Sequence, residues 1–98
     1  MALVISNLIR QKILQKHGIS ENEVIQCFAS REGGFLEDTR ENHKTNPPTK
    51  WFIAETDYGR KLKVVFMQSV DGKDIHIKTA YLANEEEKCI YEKYAPKT

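Results

Sequence analysis

The hydrophobic pattern is clearest between residues 51 and 82, where three runs rich in β-branched and aromatic residues follow one another. Short turns separate the runs, the first containing Gly59 and the second containing Gly72. Runs of this kind, joined by short turns with glycine, are typical of antiparallel strands in hairpins. The pattern therefore predicts a three-stranded β-meander, around which the rest of the chain is organised.

The two turns also predict how the strands pair. Two-residue turns at 71–72 and 58–59 would pair Phe66 with Ile77 on one side and with Trp51 on the other. Because side chains alternate between the faces of a sheet, this register predicts one apolar face. That face carries Trp51, Ile53, Leu62, Val64, Phe66, Ile75, Ile77 and Tyr81. The opposite face carries Phe52, Ala54, Lys61, Lys63, Val65, Met67, His76, Lys78 and Ala80. We expect helices to cover the first face and the second to be the open working surface.

Capping residues outside the meander indicate three helices. Ser6 is a candidate N-cap for a helix that ends before Gly18, which supplies a left-handed C-terminal cap. Ser20 and Glu23 match the capping-box pattern S-x-x-E and begin a second helix. Asn84 caps a third helix, whose first turn is acidic and lies at the positive end of the helix dipole. The first two helices form a hairpin that can lie on the apolar face.

These elements divide one predicted domain, residues 1–98, into four segments. They are a helical hairpin (1–30), an edge strand with a polar loop (31–50), the meander (51–82) and a C-terminal helix (84–95). The edge strand is Phe35-Leu36-Glu37, and Pro47 and Pro48 favour an extended loop after it. At 38–50 that loop is longer than most connections in small domains, so it is either functional or mobile. The predicted fold class is α+β, with two N-terminal helices and a C-terminal helix packed on a three- to four-stranded antiparallel sheet.

Composition gives few constraints on function. The chain has 98 residues, of which 40% are hydrophobic and 30% charged, and its net charge is +1, so no whole-molecule field indicates nucleic acid. Between residues 60 and 81, however, Lys and Arg outnumber Asp by five to two. The apolar opening at 2–5 is too short for a signal peptide or a membrane span. Cys27 and Cys89 lack metal-ligand spacing and fit reduced thiols in a cytoplasmic protein.

The common catalytic and nucleotide-binding motifs are missing from the sequence. It contains no GxGxxG, P-loop, GxSxG, HExxH or CxxC pattern. His17, His43 and His76 lie far apart and show no ligand spacing for zinc. We therefore expect neither a metal ion nor a cofactor, and we expect His17 to interact with the C-terminus of the first helix.

The strongest candidate chemistry is a set of cationic and polar side chains on the meander. The candidates for catalysis are Arg60, Lys63, Lys78, Tyr81 and His76, and those for RNA binding are Lys61, Phe52, Arg40 and His43. Cations counter the charge of a phosphodiester, and an apolar side chain offers a base a surface to stack on. Metal-free RNA cleavage needs a base for the 2′-hydroxyl proton, an acid for the leaving oxygen and cations for the developing charge. The alternative is that these lysines only keep an exposed sheet face soluble.

The chain resembles the BrnT-like toxins of the RelE/ParE superfamily, small bacterial ribonucleases paired with antitoxin proteins. The resemblance lies in Lys16-His17-Gly18-Ile19-Ser20, Gly59-Arg60, Val64-Val65-Phe66, Ile75, Thr79-Ala80 and the closing Glu-rich helix through Tyr91. It implies helices packed on a twisted antiparallel sheet, with RNA on the open face. It also implies that Arg60 and Lys63 bind phosphate and that Lys78 and Tyr81 lie near the cleaved bond. Members of this family commonly carry Arg where this chain has Tyr81.

Two function classes follow from these observations. The first is a metal-independent endoribonuclease of the toxin type, bound by a cognate antitoxin. The second is a non-catalytic module that binds RNA or protein, which Tyr81 in place of Arg favours. The chain also resembles small proteins sometimes labelled ADP-ribosyl-(dinitrogen reductase) hydrolase. Such hydrolases are large helical enzymes with a two-magnesium site, which 98 residues with a β-meander cannot build.

Overall fold

Three helices and a five-stranded mixed sheet make up the α+β fold of this protein, which we describe from a computed structural model covering residues 2–37 and 49–95. The elements are β1 (Ala2–Val4), α1 (Asn7–His17), α2 (Glu21–Ser30), β2 (Leu36–Glu37), β3 (Thr49–Glu55), β4 (Lys61–Gln68), β5 (Asp74–Leu82) and α3 (Glu85–Tyr94). The strand order is β1-β5-β4-β3-β2. The prediction of a three- to four-stranded antiparallel sheet is wrong on both points, because the apolar opening forms β1 and pairs parallel with β5.

The helix caps agree with the predictions. Ser6 accepts a hydrogen bond from the Ile9 amide at the start of α1, and Gly18 ends that helix with φ 66°. Ser20 and Glu23 form a complete capping box at the start of α2. Both helices therefore begin where a serine side chain satisfies a free backbone amide, and α1 also ends at a cap that bonds its last carbonyls.

The inner face of the sheet, which we define by Phe52, Ala54, Leu62, Val64, Phe66, Ile75, Ile77 and Ala80, packs under α1 and α2. Ile13 of α1 and Val24 and Cys27 of α2 are fully buried against it. Phe28 of α2 completes an aromatic cluster, with its ring centroid 4.7 Å from that of Phe52. This face is the main core of the described residues.

The outer face, which we define by Trp51, Ile53, Lys63, Val65, His76 and Tyr81, differs from the predicted open surface. Helix α3 lies on part of it, and Trp51, Ile53 and Val65 form a second, smaller buried cluster with Tyr91 of that helix. The expectation that helices cover a single face is therefore wrong.

The register of β3 against β4 is shifted by one residue from the prediction. Trp51 pairs with Val65 rather than Phe66, and Phe52 pairs with Val64. The Thr56 amide donates to the carbonyl of Arg60, so the loop has three residues, not two, and Gly59 takes a positive φ of 82°. One extra loop residue exchanges the two faces of β3, so Trp51 and Ile53 face outward. Phe52 and Ala54, which were predicted to face outward, belong to the core.

The register of β5 against β4 is correct near the second turn and wrong beyond it. Phe66 pairs with Ile77 as predicted, but Val64 pairs with Ala80 because of a β-bulge. Both Ile77 and Ala80 are buried in the inner core, so the two residues between them, Lys78 and Thr79, lie on the outer side. The bulge moves Ala80 to the inner face and Tyr81 to the outer face, opposite to the prediction.

The segment after α2 is partly as predicted. Leu36–Glu37 pairs with β3 at the edge of the sheet, while Thr49 and Lys50, predicted as loop, belong to β3. Residues 38–48 of the predicted loop lie outside the described residues, so the alternatives for it stay predictions. No helix in the described part of the chain is both long and apolar enough to cross a bilayer.

Candidate anion-binding site on the outer face

Lys63 lies in the middle of β4 with an aromatic side chain on each side. Its ammonium is 4.5 Å from the ring centroid of Trp51 and 5.7 Å from that of Tyr81. These contacts follow from the register, since Tyr81 pairs with Lys63 on one side and Ile53 pairs with it on the other. Trp51 lies two residues from Ile53 along β3 and therefore on the same face. The Lys63 side chain is only 9% exposed, so its charge is held in a defined place.

Two hydrogen-bond donors converge beside these rings. Lys63 Nζ donates to Glu87 Oε2 at 2.8 Å, and the Tyr81 hydroxyl donates to the same oxygen at 3.1 Å. Both donors therefore point to one position, where an anionic oxygen is held by a cation and a hydroxyl. Lys63 and Tyr81 were predicted as site residues, and the structure brings them together.

The capping box of α3 determines where the Glu87 carboxylate lies. The Asn84 side chain accepts from the Glu87 amide at 2.7 Å, and Glu87 Oε1 accepts from the Asn84 amide at 3.0 Å. One carboxylate oxygen is therefore used to begin the helix, and the other faces Lys63 and Tyr81. The sequence predicted the cap at Asn84 but not the second role of Glu87.

The protonation of Glu87 depends on these contacts. Burial acts to raise the pKa of its carboxyl, but hydrogen bonds from Lys63, the Asn84 amide and Tyr81, together with the charge of Lys63, outweigh burial and lower the pKa. Glu87 is therefore ionised at neutral pH and forms a charged pair with Lys63.

His17 is also next to this site. It is the last residue of α1, and its ring centroid lies 5.6 Å from that of Tyr81. We predicted an interaction of His17 with the helix C-terminus, and sequence reasoning missed its contact with Tyr81. No residue pattern indicates the bulge that determines where Tyr81 faces.

Arg60 and Lys61 have other partners. Arg60 Nη1 donates to Glu23 Oε2 at 2.8 Å and to the Gly18 carbonyl at 3.3 Å, so it joins the β3–β4 turn to the α1–α2 hairpin. Lys61 lies 3.9 Å from Glu55 across the sheet and is half exposed. The structure does not place Arg60 at the position where Lys63 and Tyr81 converge.

The remaining candidates are dispersed. His76 and Lys78 are exposed on the outer side of β5, and His76 is five residues from Tyr81, which is about 16 Å along a strand. Phe52 is fully buried in the inner core, so its ring offers no surface to a base. Arg40 and His43 lie outside the described residues.

Comparison with known proteins gives no family for this chain. No protein-family model matches it, and no curated protein is significantly similar to it. Among the described residues, no three His, Cys, Asp or Glu side chains come close enough to hold a metal ion together. The site must therefore be interpreted from its own geometry.

Proposed function

We propose that this chain is a BrnT-like, RelE-superfamily toxin-type domain that binds RNA on the outer face without a metal ion and is paired with an antitoxin protein. The observation that carries the proposal is the convergence of Lys63 Nζ and the Tyr81 hydroxyl on one anionic oxygen. A phosphate oxygen of RNA has the charge and the acceptor geometry to occupy that position in place of a carboxylate. The family assignment has its support in the sequence resemblance.

The surroundings of the convergence point suit a single RNA strand. Trp51 and Tyr81 place aromatic rings beside the ammonium of Lys63. Tyr81 is half-buried and offers part of its ring to a base, whereas Trp51 is buried beneath α3. Lys78 and His76 extend polar and cationic surface along the same side of β5. A strand whose phosphate lies at Lys63 could therefore follow β5 towards His76.

Cleavage at this position would be a transesterification. The 2′-oxygen attacks phosphorus and the bond to the 5′-oxygen breaks, leaving a 2′,3′-cyclic phosphate and a 5′-hydroxyl end. Lys63 stabilises the added charge on phosphorus, and Tyr81 donates a proton to the leaving oxygen. His17, in ring contact with Tyr81, is our candidate for taking the 2′-hydroxyl proton.

A specific observation favours a second candidate, a module that binds RNA without cleaving it. Arg60 is bonded to Glu23 and Gly18 rather than placed beside Lys63. The toxin family commonly carries Arg at the position of Tyr81. In this chain Lys63 is therefore the one cation of the candidate residues at the convergence point. A single cation binds a phosphate but gives less stabilisation to the charge of the transition state.

RNA binding and cleavage should be measured together, with EDTA present, on a labelled single-stranded RNA. Lys63→Met removes the central cation, and Lys61→Met is the matched control because Lys61 is an exposed lysine on the same strand. A charge-assisted hydrogen bond contributes about 1.5–3 kcal/mol, so we expect Lys63→Met to weaken binding by about tenfold or more. Lys61→Met should weaken it by no more than about twofold, the loss of one exposed charge.

The outcomes separate the two candidates. Cyclic-phosphate products that disappear in Lys63→Met, with growth arrest on expression of the unmodified chain, support the toxin. Binding that depends on Lys63 without any product supports the binding module. Equal affinities for the two lysine variants, both with native circular dichroism, would overturn both candidates.

A further inference from the structure

We infer that α3 is a cover over the RNA site, and that Glu87 competes with RNA phosphate for Lys63 and Tyr81. This inference rests on the proposed function, because it concerns access to the same donors. In the closed form both donors are already used, since each donates to Glu87 Oε2. A phosphate can reach them only if that carboxylate moves away.

The packing of α3 allows such a movement. None of the residues Glu85–Tyr94 is buried, and Ile90 and Tyr94 remain 39% and 62% exposed. By contrast, α1 and α2 each place fully buried residues in the inner core. Releasing α3 exposes the smaller cluster of Trp51, Ile53, Val65 and Tyr91, whereas releasing α1 or α2 opens the main core. The free-energy cost of releasing α3 is therefore smaller.

Polar contacts contribute to holding the cover closed. Besides the Glu87 bonds, the Tyr91 hydroxyl donates to the Gly34 carbonyl at 2.8 Å, and the Tyr91 ring lies 5.9 Å from that of Trp51. Hydrogen bonds of this kind are exchanged for bonds to water when they open, so the net cost of opening is modest. RNA binding can provide that free energy when phosphate replaces Glu87 at the same donors.

A groove beside α3 is lined by more acidic than basic side chains. It encloses about 510 Å³ between α3, β3 and the end of α2, with Ile53 and Tyr91 among its lining residues. Glu55, Glu85 and Glu92 line it, and Lys61 and Lys88 only partly offset their charge. This net negative charge disfavours RNA in the groove, and the groove leaves space beside the helix.

Glu87→Gln tests the cover directly. Glutamine keeps the capping box, in which either Glu or Gln can serve, but removes the charge that pairs with Lys63. Glu86→Gln is the matched control, because it removes the same charge from the exposed residue that precedes Glu87 in the helix. Each chain is titrated into a labelled single-stranded RNA and its affinity is measured by fluorescence anisotropy.

We expect Glu87→Gln to tighten RNA binding by about tenfold, because a larger fraction of molecules is open before RNA arrives. Glu86→Gln should change the affinity by no more than about twofold. Trp51, the one tryptophan of the sequence, is 8% exposed beneath α3 and reports opening independently of RNA. Its quenching by acrylamide should increase in Glu87→Gln and stay unchanged in Glu86→Gln.

A second variant separates the opening of α3 from the loss of the Glu87 charge. Tyr91→Phe removes the bond to Gly34 and leaves Glu87 intact. If α3 is a cover, this variant also increases both Trp51 quenching and RNA affinity, by less than Glu87→Gln. The cover is overturned if Glu87→Gln and Glu86→Gln bind RNA equally while the unmodified chain binds in a Lys63-dependent way. If no chain binds RNA, the proposed function itself fails, which is a different result.

Discussion

The two faces of the sheet are covered by helices in different ways. On the inner face, Phe28, Phe35, Phe52 and Phe66 pack edge to face, and the rings of Phe35 and Phe66 lie 4.7 Å apart. On the outer face, α3 is joined to the sheet by one ion pair, hydroxyl hydrogen bonds and the Tyr91 ring, and none of the residues Glu85–Tyr94 is buried. The inner helices are held mainly by the large buried core, and the outer helix by polar contacts together with one small apolar cluster.

The difference shows how one sheet can serve both stability and binding. Buried apolar area has no substitute partner in water, so α1 and α2 stay in place while the protein is folded. Polar contacts have substitutes, either water or a ligand of the same chemistry, so α3 can exchange its contacts. The proposed binding site under α3 is therefore compatible with a stable fold, because the main core lies on the other face.

The largest expected effect on the free energy of unfolding comes from truncating a buried side chain of the inner face. Phe66→Ala removes a fully buried ring from the aromatic cluster. We expect the free energy of unfolding, measured by urea denaturation, to fall by about 3–5 kcal/mol, from lost burial and from the cavity left behind. The matched outer variant is Trp51→Ala, which removes a larger ring from beneath α3. It should cost less, because α3 can settle into the space; an equal or greater loss would contradict the difference between the faces.

A smaller effect is expected from acidifying the outer face. The pKa of Glu87 is below its ordinary value of 4.5 in the folded protein, so its pairing with Lys63 and Tyr81 stabilises the closed form fully above that pH. As pH falls through the lowered pKa, Glu87 is protonated and this stabilisation is lost. Quenching of Trp51 by acrylamide should therefore increase below pH 4.5, before the inner core unfolds. The same step in Glu87→Gln would show that another group causes it.

The smallest effect on the free energy of unfolding is expected at the cysteines. Cys27 lies under the inner face and Cys89 on α3, and they differ in exposure. Burial raises the pKa of the Cys27 thiol to about 11, and the nearby carboxylate of Glu23 adds to the shift. Cys89 is exposed on α3. Iodoacetamide at neutral pH should therefore modify Cys89 and leave Cys27 protected until the protein unfolds, as mass spectrometry can measure. Cys89→Ser should change the free energy of unfolding by less than about 0.5 kcal/mol. Equal labelling of the two thiols would show that Cys27 is accessible in the folded protein, against its burial in the inner core.

Features set by neighbouring residues could be predicted from the sequence. The caps at Ser6, Gly18, Ser20 and Asn84 are confirmed, because each depends on hydrogen bonds within a few residues. The pairing of Phe66 with Ile77 is also confirmed, because it lies close to the turn that fixes it. These signals gave the three helices and the meander.

The strand register away from the second turn could not be predicted, because it depends on loop length and on a bulge that no local pattern indicates. The three-residue loop before Arg60 and the bulge at Lys78 each add one residue to the predicted register. The loop exchanges the faces of β3, and the bulge exchanges the faces of β5 beyond Lys78. Lys63 could be assigned to the outer face because β4 lies between the two shifts. Tyr81 could not, and its meeting with Glu87 and His17 became visible only in three dimensions.

The bulge in β5 has a consequence for how this site could arise or disappear. Tyr81 lies opposite Lys63 because the bulge places one extra residue between Ile77 and Ala80. Deletion of Lys78 would remove the bulge but leave Thr79, Ala80 and Tyr81 opposite Val65, Val64 and Lys63, so the phenol ring would stay on the outer face. The same pairing can therefore be kept with one residue fewer, whereas regular pairing of all the present residues would turn the Tyr81 ring into the core.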